Sequence, residues 1–121
     1  GFFHVPTIFS GADNTFRLSR EEIFGPVVMA IPFTDTDEVV RMANDSAYGL
    51  AAYVWSQDVN QAIDTAHRLE AGWVQVNQGG GQMVGQAYGG YKQSGIGREV
   101  SLEGMIAGFT QTKQINVKLG S

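Results

Sequence analysis

Residues 27–77 read VVMAIPFTDTDEVVRMANDSAYGLAAYVWSQDVNQAIDTAHRLEAGWVQVN, and this stretch alternates short apolar runs with helical patterns. The apolar runs cover residues 27–33, 50–55 and 73–77, and each has the length of a buried strand. Between them, apolar side chains recur three and four positions apart, which is the spacing of one helix face. The order strand, helix, strand, helix, strand predicts an α/β fold of three layers, βαβαβ, with a mostly parallel sheet.

Both predicted helices carry signals at their ends. Residues 34–37, Thr-Asp-Thr-Asp, offer N-cap side chains to the first helix, and Ser56 and Asp58 offer them to the second. Gly72 follows the second helix, at a place where a glycine in the left-handed conformation commonly ends one. These signals support the helix assignment independently of the apolar spacing.

The sequence on either side of this unit is less regular. Eight of the sixteen glycines fall between residues 78 and 97, which predicts one long loop. Apolar residues at helical spacing predict a short helix over residues 102–109, and alternation over residues 114–119 predicts a half-buried terminal strand that needs a partner. The first dozen residues offer neither a turn nor a helix cap, so we expect the chain to begin within a fold.

Composition excludes several classes of function. A chain of 121 residues with 43% hydrophobic content fits one domain, and the absence of cysteine removes disulfides, thiolate zinc sites and a cysteine nucleophile from these residues. A net charge of −4 with eight scattered Lys and Arg residues argues against a nucleic-acid partner. No apolar run approaches the roughly 18 residues of a membrane helix. We expect a cytoplasmic protein with no membrane partner.

The glycine-rich loop matches neither the P-loop spacing nor the dinucleotide-binding spacing. His4 and His67 are 63 residues apart and predict no metal site. Glu21 and Glu22 are more informative, because they precede the stiff turn Ile23-Phe24-Gly25-Pro26. One of these carboxylates is suited to accept two hydrogen bonds from vicinal hydroxyls, as on a ribose, while its neighbour pairs with solvent or an arginine such as Arg20. The alternative is two exposed glutamates without a role.

Four blocks of the sequence are similar to the C-terminal part of NAD(P)-dependent aldehyde dehydrogenases. They are EEIFGPV (21–27), ANDSAYGLAAYVWS (43–56), RLEAGWVQVN (68–77) and YGGYKQSGIGRE (88–99). The opening GFFHVPTIF and the closing TQTKQINVK extend the resemblance over nearly the whole chain. It implies that residues 1–111 are the C-terminal portion of a catalytic domain and that residues 112–121 are an oligomerisation strand and tail.

The resemblance also implies roles for individual residues. Glu22 would hydrogen-bond the nicotinamide ribose, and Phe24 would lie against the nicotinamide side of the same cleft. Tyr88 would line the substrate tunnel, with Ala87 in front of it where the family usually has proline. Gln82 and Met83 would belong to the part of the tunnel wall that varies with the aldehyde.

The implied parent activity is oxidation of an aldehyde to a carboxylic acid through a cysteine thiohemiacetal, with NAD or NADP as hydride acceptor. The family's nucleophile and dinucleotide-binding domain lie outside these residues. We therefore expect the isolated chain to bind no cofactor and to be inactive. The alternative is a stand-alone assembly module that binds copies of itself or an intact dehydrogenase subunit. Both hypotheses predict a homo-oligomer formed through the C-terminal strand and exposed apolar faces.

Overall fold

Six strands and four helices form from residues 1–120, which are the residues described by the computed structural model. In chain order they are β1 (Thr7–Ser10), α1 (Arg17–Arg20), β2 (Val27–Ala30), α2 (Thr36–Asn44), β3 (Tyr48–Gly49), β4 (Ala51–Val54), α3 (Val59–Arg68), β5 (Trp73–Val76), β6 (Tyr91–Lys92) and α4 (Leu102–Phe109). The alternation predicted for residues 27–77 is confirmed as β2, α2, β4, α3 and β5. Four elements, β1, α1 and the short strands β3 and β6, had no clear signal in the sequence.

The strands pair two by two. Strand β1 runs parallel to β2 with Thr7 opposite Val27, and β4 runs parallel to β5 with Ala51 opposite Trp73. Strands β3 and β6 form a short antiparallel pair. The α/β class with parallel strands is thus confirmed, but the single sheet expected from residues 27–77 is divided, because β2 pairs with β1 and not with β4. Pairing depends on hydrogen bonds between distant segments, which a local apolar pattern does not specify.

The N-caps of the helices confirm the local predictions. The carboxylate of Asp35 accepts a hydrogen bond from the Glu38 amide at 2.8 Å, and Asp58 accepts from the Asn60 and Gln61 amides at 2.9 and 3.1 Å. Each bond satisfies an amide that has no partner within the first turn of its helix. Ser101 caps α4 in the same way, with the Gly104 amide 3.1 Å from its hydroxyl.

Gly72 does not end α3 as the sequence predicted. The helix ends at Arg68, and Gly72 is absent from the residues with positive φ. Its missing side chain instead makes room for another segment, because a Cβ at Gly72 would overlap the carbonyl oxygen of Gly89. Gly72 therefore allows the backbone just before β5 to pack closely against the glycine-rich loop.

The glycine-rich loop is largely irregular over residues 78–97, as predicted, and contains only β6. Four of its eight glycines, at positions 80, 85, 95 and 97, have positive φ. The remaining glycines do not need the left-handed conformation. Of these, Gly89 and Gly90 lie against backbone and side-chain atoms that an added Cβ would touch.

The predicted strand over residues 112–119 is not formed. Residues 110–120 follow α4 with neither helix nor strand, and Ile115, Val117 and Leu119 are exposed. An extended segment becomes a strand only when a neighbour pairs with its backbone, and no strand within residues 1–120 pairs with this segment. Over residues 1–120 the longest helix, α3, has ten residues, and none of the described helices could cross a membrane.

The core is small for a chain of this length. Val40 and Ala62 are the buried apolar residues of the described chain, and the accessible surface is 9731 Å². A folded monomer of this mass normally exposes roughly 6,400 Å². The chain thus exposes roughly 3,300 Å² more than a self-contained domain of its size.

Candidate functional site

The segment that carries the two glutamates is attached to the C-terminal end of α2. Both terminal nitrogens of Arg20 donate to the carboxylate of Asp45, at 2.9 and 2.6 Å, and Nη1 also donates to the Asp45 carbonyl at 2.7 Å. Nε of Arg20 donates to the carbonyl of Asn14 at 2.5 Å. The hydrogen bonds from Arg20 lower the pKa of Asp45 and raise the pKa of Arg20. Arg20 therefore fixes the chain immediately before Glu21.

The two glutamates have different surroundings. Oε1 of Glu21 accepts a hydrogen bond from Nε of Arg17 at 2.7 Å, and this bond lowers the pKa of Glu21. Glu22 has no hydrogen bond or ion pair to any side chain among residues 1–120. The sequence hypothesis is that one glutamate pairs with solvent or with an arginine such as Arg20. Glu21 does pair with an arginine, but that arginine is Arg17, because Arg20 pairs with Asp45.

Glu22 borders an open cleft that could receive a ligand. The cleft has a volume of about 560 Å³ and is lined by both glutamates together with Arg20, Asn44, Glu70 and Ser94. The carboxylate of Glu22 has no side-chain partner among residues 1–120, so both of its oxygens can accept hydrogen bonds from a ligand. The residue thus fits the acceptor role that the pair of vicinal hydroxyls on a ribose would require.

Phe24 is held in an uncommon backbone conformation and lines a second pocket of about 300 Å³, so residues 1–120 do not bring it into the cleft that Glu22 lines. Its φ is 54°, in the left-handed region, and its side chain is 94% exposed. The Val27 amide closes the following turn by donating to the Gly25 carbonyl at 2.8 Å. Such a backbone is uncommon for a bulky residue and presents the aromatic ring to solvent, where a flat apolar ligand could pack on it.

Tyr88 is half-buried in the middle of the glycine-rich loop. Its amide donates to the Glu99 carbonyl at 2.9 Å, and its carbonyl accepts from the Glu99 amide at 2.7 Å. Its ring meets the ring of Trp73 edge-on, with centroids 5.5 Å apart and an interplanar angle of 75°. Both the backbone and the ring of Tyr88 therefore have defined neighbours.

Gln82 and Met83 lie on the exposed part of the same loop. Met83 is 52% exposed, and its carbonyl accepts a hydrogen bond from the Gln86 amide at 3.1 Å. The loop is attached near this point by the Gly85 amide, which donates to the Val100 carbonyl at 3.0 Å. None of Gln82, Met83 or Tyr88 lines the cleft beside Glu22, so residues 1–120 hold the two predicted subsites on separate surfaces.

Sequence reasoning missed Trp73 as a neighbour of Tyr88, and Tyr53 as a neighbour of Trp73. The rings of Tyr53 and Trp73 meet edge-on with centroids 6.3 Å apart. The only available signal was the alternation within residues 73–77, which does not show which strand pairs with it. Within residues 1–120, no group of three or more His, Asp or Glu side chains is placed to hold a metal ion.

Comparison with known proteins identifies the family. The family model described as "Aldehyde dehydrogenase family" matches residues 1–115. The chain belongs to the aldehyde dehydrogenase family. The resemblance drawn from the four sequence blocks is confirmed.

Curated aldehyde dehydrogenases match nearly the whole chain. An aldehyde dehydrogenase of Agaricus bisporus is 49% identical over 119 residues, which are 98% of this chain and 24% of that protein. A hydroxyisobutyraldehyde dehydrogenase of Mycolicibacterium austroafricanum is 43% identical, over 98% of this chain and 23% of that protein. The chain thus spans about a quarter of the length of these aldehyde dehydrogenases.

Solved aldehyde dehydrogenases share the fold. A betaine aldehyde dehydrogenase of Staphylococcus aureus in complex with NAD+ has a TM-score of 0.84 and 42% identity, over 88% of this chain and 21% of that one. An indole-3-acetaldehyde dehydrogenase of Pseudomonas syringae, in complex with NAD+ and IAA, has a TM-score of 0.86 and 45% identity, over 94% of this chain and 23% of that one. The structure is therefore a part of the aldehyde dehydrogenase fold.

Proposed function

We propose that residues 1–121 hold the nicotinamide ribose and form one wall of the aldehyde tunnel in an NAD(P)-dependent aldehyde dehydrogenase. In this proposal, the residues act as part of a full-length enzyme that oxidises an aldehyde to a carboxylic acid. The observation that carries this proposal is the contrast between two adjacent carboxylates. Both glutamates line the open cleft, but Oε1 of Glu21 accepts a hydrogen bond from Arg17, whereas Glu22 has no hydrogen bond to a side chain of residues 1–120.

The proposed roles follow from the chemistry of the side chains. A carboxylate accepts one hydrogen bond on each oxygen, which matches the two neighbouring hydroxyls of a ribose. Phe24 offers an apolar ring to the flat nicotinamide beside that ribose. Gln82, Met83 and Tyr88 belong to the loop segment QGGGQMVGQAY (78–88), which contains no charged residue. A wall of this kind would bind the aldehyde by apolar contact and not by an ion pair.

The covalent step requires a sulfur that these residues do not contain. The 121 residues include no cysteine, so a thiolate that attacks the aldehyde has to come from outside them. We therefore expect that the isolated chain does not reduce NAD+ or NADP+ with an aldehyde and holds no cofactor. Appearance of reduced nicotinamide above a buffer control, in a preparation free of host enzymes, would contradict this.

The exposed surface supports attachment to the rest of an enzyme over the alternative of an assembly module. A standard interface covers about 800 Å² on each partner. The excess surface of this chain is roughly 3,300 Å², several times larger and in the range covered inside a domain.

The assembly module stays a second candidate because Ile115, Val117 and Leu119 are exposed on an unpaired tail. Specific capture of an intact dehydrogenase subunit by the isolated chain would favour that candidate. The homo-oligomer and the cytoplasmic location stay predictions.

The ribose-binding role is tested in a full-length chimaera. In it, residues 1–121 replace the matching segment of the Agaricus bisporus relative, which is 49% identical to them. We expect Glu22→Gln to lower kcat/KM for the dinucleotide about tenfold or more, because a hydrogen bond to a charged acceptor is weakened when the acceptor becomes neutral. Glu21→Gln is the matched control, since Arg17 already occupies that carboxylate. Equal effects of the two substitutions would contradict the proposal.

A further inference from the structure

Three aromatic rings form a cluster where strands β4 and β5 meet the middle of the glycine-rich loop. We call Tyr53, Trp73 and Tyr88 the aromatic cluster. Trp73 is its central member, with ring centroids 6.3 Å from Tyr53 and 5.5 Å from Tyr88, and both contacts are edge-on at 83° and 75°. Edge-on contact is a favoured arrangement for aromatic rings, because the positive edge of one ring meets the negative face of the other.

The β4–β5 pair fixes Trp73 and Tyr53 on the same face. Ala51 lies opposite Trp73, and Tyr53 lies opposite Gln75, two positions further along both strands. Directly opposed residues share a face of a sheet, and so do residues two apart on one strand. The hydroxyl of Tyr53 lies 3.5 Å from the Gly80 carbonyl oxygen, so this face also touches the glycine-rich loop.

The backbone forces Tyr88 against this face. Gly72 precedes Trp73 and Gly89 follows Tyr88, and their backbones are so close that a Cβ at Gly72 would overlap the Gly89 carbonyl. The two hydrogen bonds with Glu99 fix the main chain of Tyr88 from the other side. With the backbone fixed, the neighbours of the ring decide which way it points, and Trp73 is the aromatic neighbour within residues 1–120.

We propose that Trp73 is a positioning residue that orients Tyr88 in the tunnel wall and thereby sets the preference for bulky apolar aldehydes over small ones. The inference rests on the proposed function, in which Tyr88 lines the tunnel. Trp73 acts through Tyr88 and does not touch the reacting atoms. The substrate class follows from the uncharged loop 78–88 and from the aromatic face that Tyr88 offers.

The test compares two aldehydes in the full-length chimaera. We expect Trp73→Leu to lower the ratio of kcat/KM for phenylacetaldehyde to kcat/KM for acetaldehyde by about three- to tenfold, the range expected for losing one aromatic pair. Activity on acetaldehyde is the internal check on folding, because a general structural defect would lower both values together. Trp73→Phe keeps an aromatic edge and should restore most of the ratio.

Trp55→Leu is the matched control. Trp55 is 67% exposed and lies near the same loop, 3.9 Å from a Cβ built at Gly79, but it belongs to neither aromatic contact. It should leave the ratio within twofold of the unsubstituted chimaera. A ratio changed as much by Trp55→Leu as by Trp73→Leu would overturn the proposal.

Substitution of Tyr88 distinguishes failure of the positioning role of Trp73 from failure of the proposed tunnel role of Tyr88. If Tyr88→Leu leaves the ratio unchanged, the tunnel role of Tyr88 is wrong. If Tyr88→Leu lowers the ratio and Trp73→Leu does not, only the positioning role of Trp73 is wrong. If both lower it, adding Trp73→Leu to Tyr88→Leu should change the ratio no further, because Trp73 has no other route to the substrate. A further independent loss in the double variant would overturn the proposal.

Discussion

Arginine placement decides which of the two adjacent glutamates is available to a ligand. Arg17 lies four residues before Glu21, which brings the two side chains together on one turn of α1 and its end. Arg20 is turned towards Asp45 and leaves Glu22 without a cation. The spacing of four residues therefore selects Glu21, and not Glu22, as the partner of Arg17.

Asn77 follows β5, and its side chain hydrogen-bonds the backbone of Ser56, which lies between β4 and α3. Its φ is 53°, its Oδ1 accepts from the Ser56 amide, and its Nδ2 donates to the Ser56 carbonyl, both at 2.9 Å. We expect Asn77→Ala to lower the local opening free energy by about 2 kcal/mol, since it removes both hydrogen bonds and places a less tolerant residue in the left-handed region. Hydrogen exchange of the Ser56 amide in the chimaera measures this.

Asn77→Gly separates the two causes. Glycine adopts the left-handed conformation freely but supplies no side-chain hydrogen bonds. The Ser56 amide should therefore exchange faster than with asparagine and more slowly than with alanine. Exchange of this amide at the same rate in all three proteins would show that Asn77 does not hold the two segments together.

Acid should weaken the attachment of α1 to α2. Folding lowers the pKa of Asp45 below its ordinary value of 3.8, because Arg20 hydrogen-bonds the charged carboxylate. The unfolded state therefore binds this proton at a higher pH than the folded state does. The stabilisation is fully present above the ordinary pKa and is lost as the pH falls through the lowered one.

Arg20→Gln should remove that contribution. In the chimaera we expect a lower thermal midpoint at neutral pH and a smaller further decrease between about pH 5 and about pH 2. Lys113→Gln makes the same change of charge in the irregular tail and should leave the acid dependence of the midpoint unaltered. The same dependence in Arg20→Gln as in the unsubstituted chimaera would refute the role of the Arg20–Asp45 pair.

At the scale of elements, β5 and the glycine-rich loop depend on the absence of a side chain at one point. The Gly72 amide donates to the Gly49 carbonyl at 2.9 Å, while its Cα faces the Gly89 carbonyl. We expect Gly72→Ala to destabilise the fold by about 2 kcal/mol, because a shift of Gly72 would break its hydrogen bond to Gly49. A shift of Gly89 would disturb the two backbone hydrogen bonds of the preceding Tyr88. The thermal midpoint of the chimaera should fall.

Gly108→Ala provides a control of opposite sign. No atom lies within 4 Å of a Cβ built at Gly108, which is in α4. Alanine favours the helix over glycine by up to about 1 kcal/mol, so this substitution should raise the midpoint or leave it unchanged. A midpoint that falls equally with both substitutions would mean that the contact at Gly72 is not the cause.

The elements that the sequence predicted well are those whose causes are local. Asp35 and Asp58 cap their helices within three residues, and the spacing of apolar side chains within α2 and α3 needs no distant partner. Strand pairing has no such local cause. The apolar pattern of residues 27–33 is compatible with pairing to either β1 or β4, so it does not specify the partner. The tail over residues 112–119 needs a pairing strand that residues 1–120 do not provide.

The residues of the candidate site also differ in how far the sequence alone could predict them. Glu22, Phe24 and Tyr88 were named through the family resemblance, because their blocks are contiguous in sequence. Trp73 was not, since its contact with Tyr88 depends on the approach of Gly72 to Gly89, 17 positions apart. Side chains brought together by backbone contact between distant segments leave no pattern in a single sequence.

At the scale of the whole molecule, the surface is the dominant feature. The apolar residues that are exposed include Phe2, Phe3, Phe24, Ile96 and Phe109, each at 89% or more. They are distributed from one end of the described chain to the other, so no single patch accounts for the roughly 3,300 Å² of excess surface. In a full-length dehydrogenase, the remainder of the enzyme would cover much of it.

The isolated chain should therefore associate in solution. Exposed apolar patches beyond a few hundred Å² drive association, so we expect a dimer or larger oligomer at micromolar concentration by light scattering. Ile115→Asp combined with Val117→Asp tests the route, because both side chains are exposed on the unpaired tail. If the tail pairs with another copy, this variant should dissociate towards monomers, since two carboxylates cannot be buried without partners. If the bare faces of the sheets associate instead, the double substitution should leave the mass unchanged. A monodisperse monomer of the unsubstituted chain would contradict both routes, because the chain would then tolerate its whole excess surface in water.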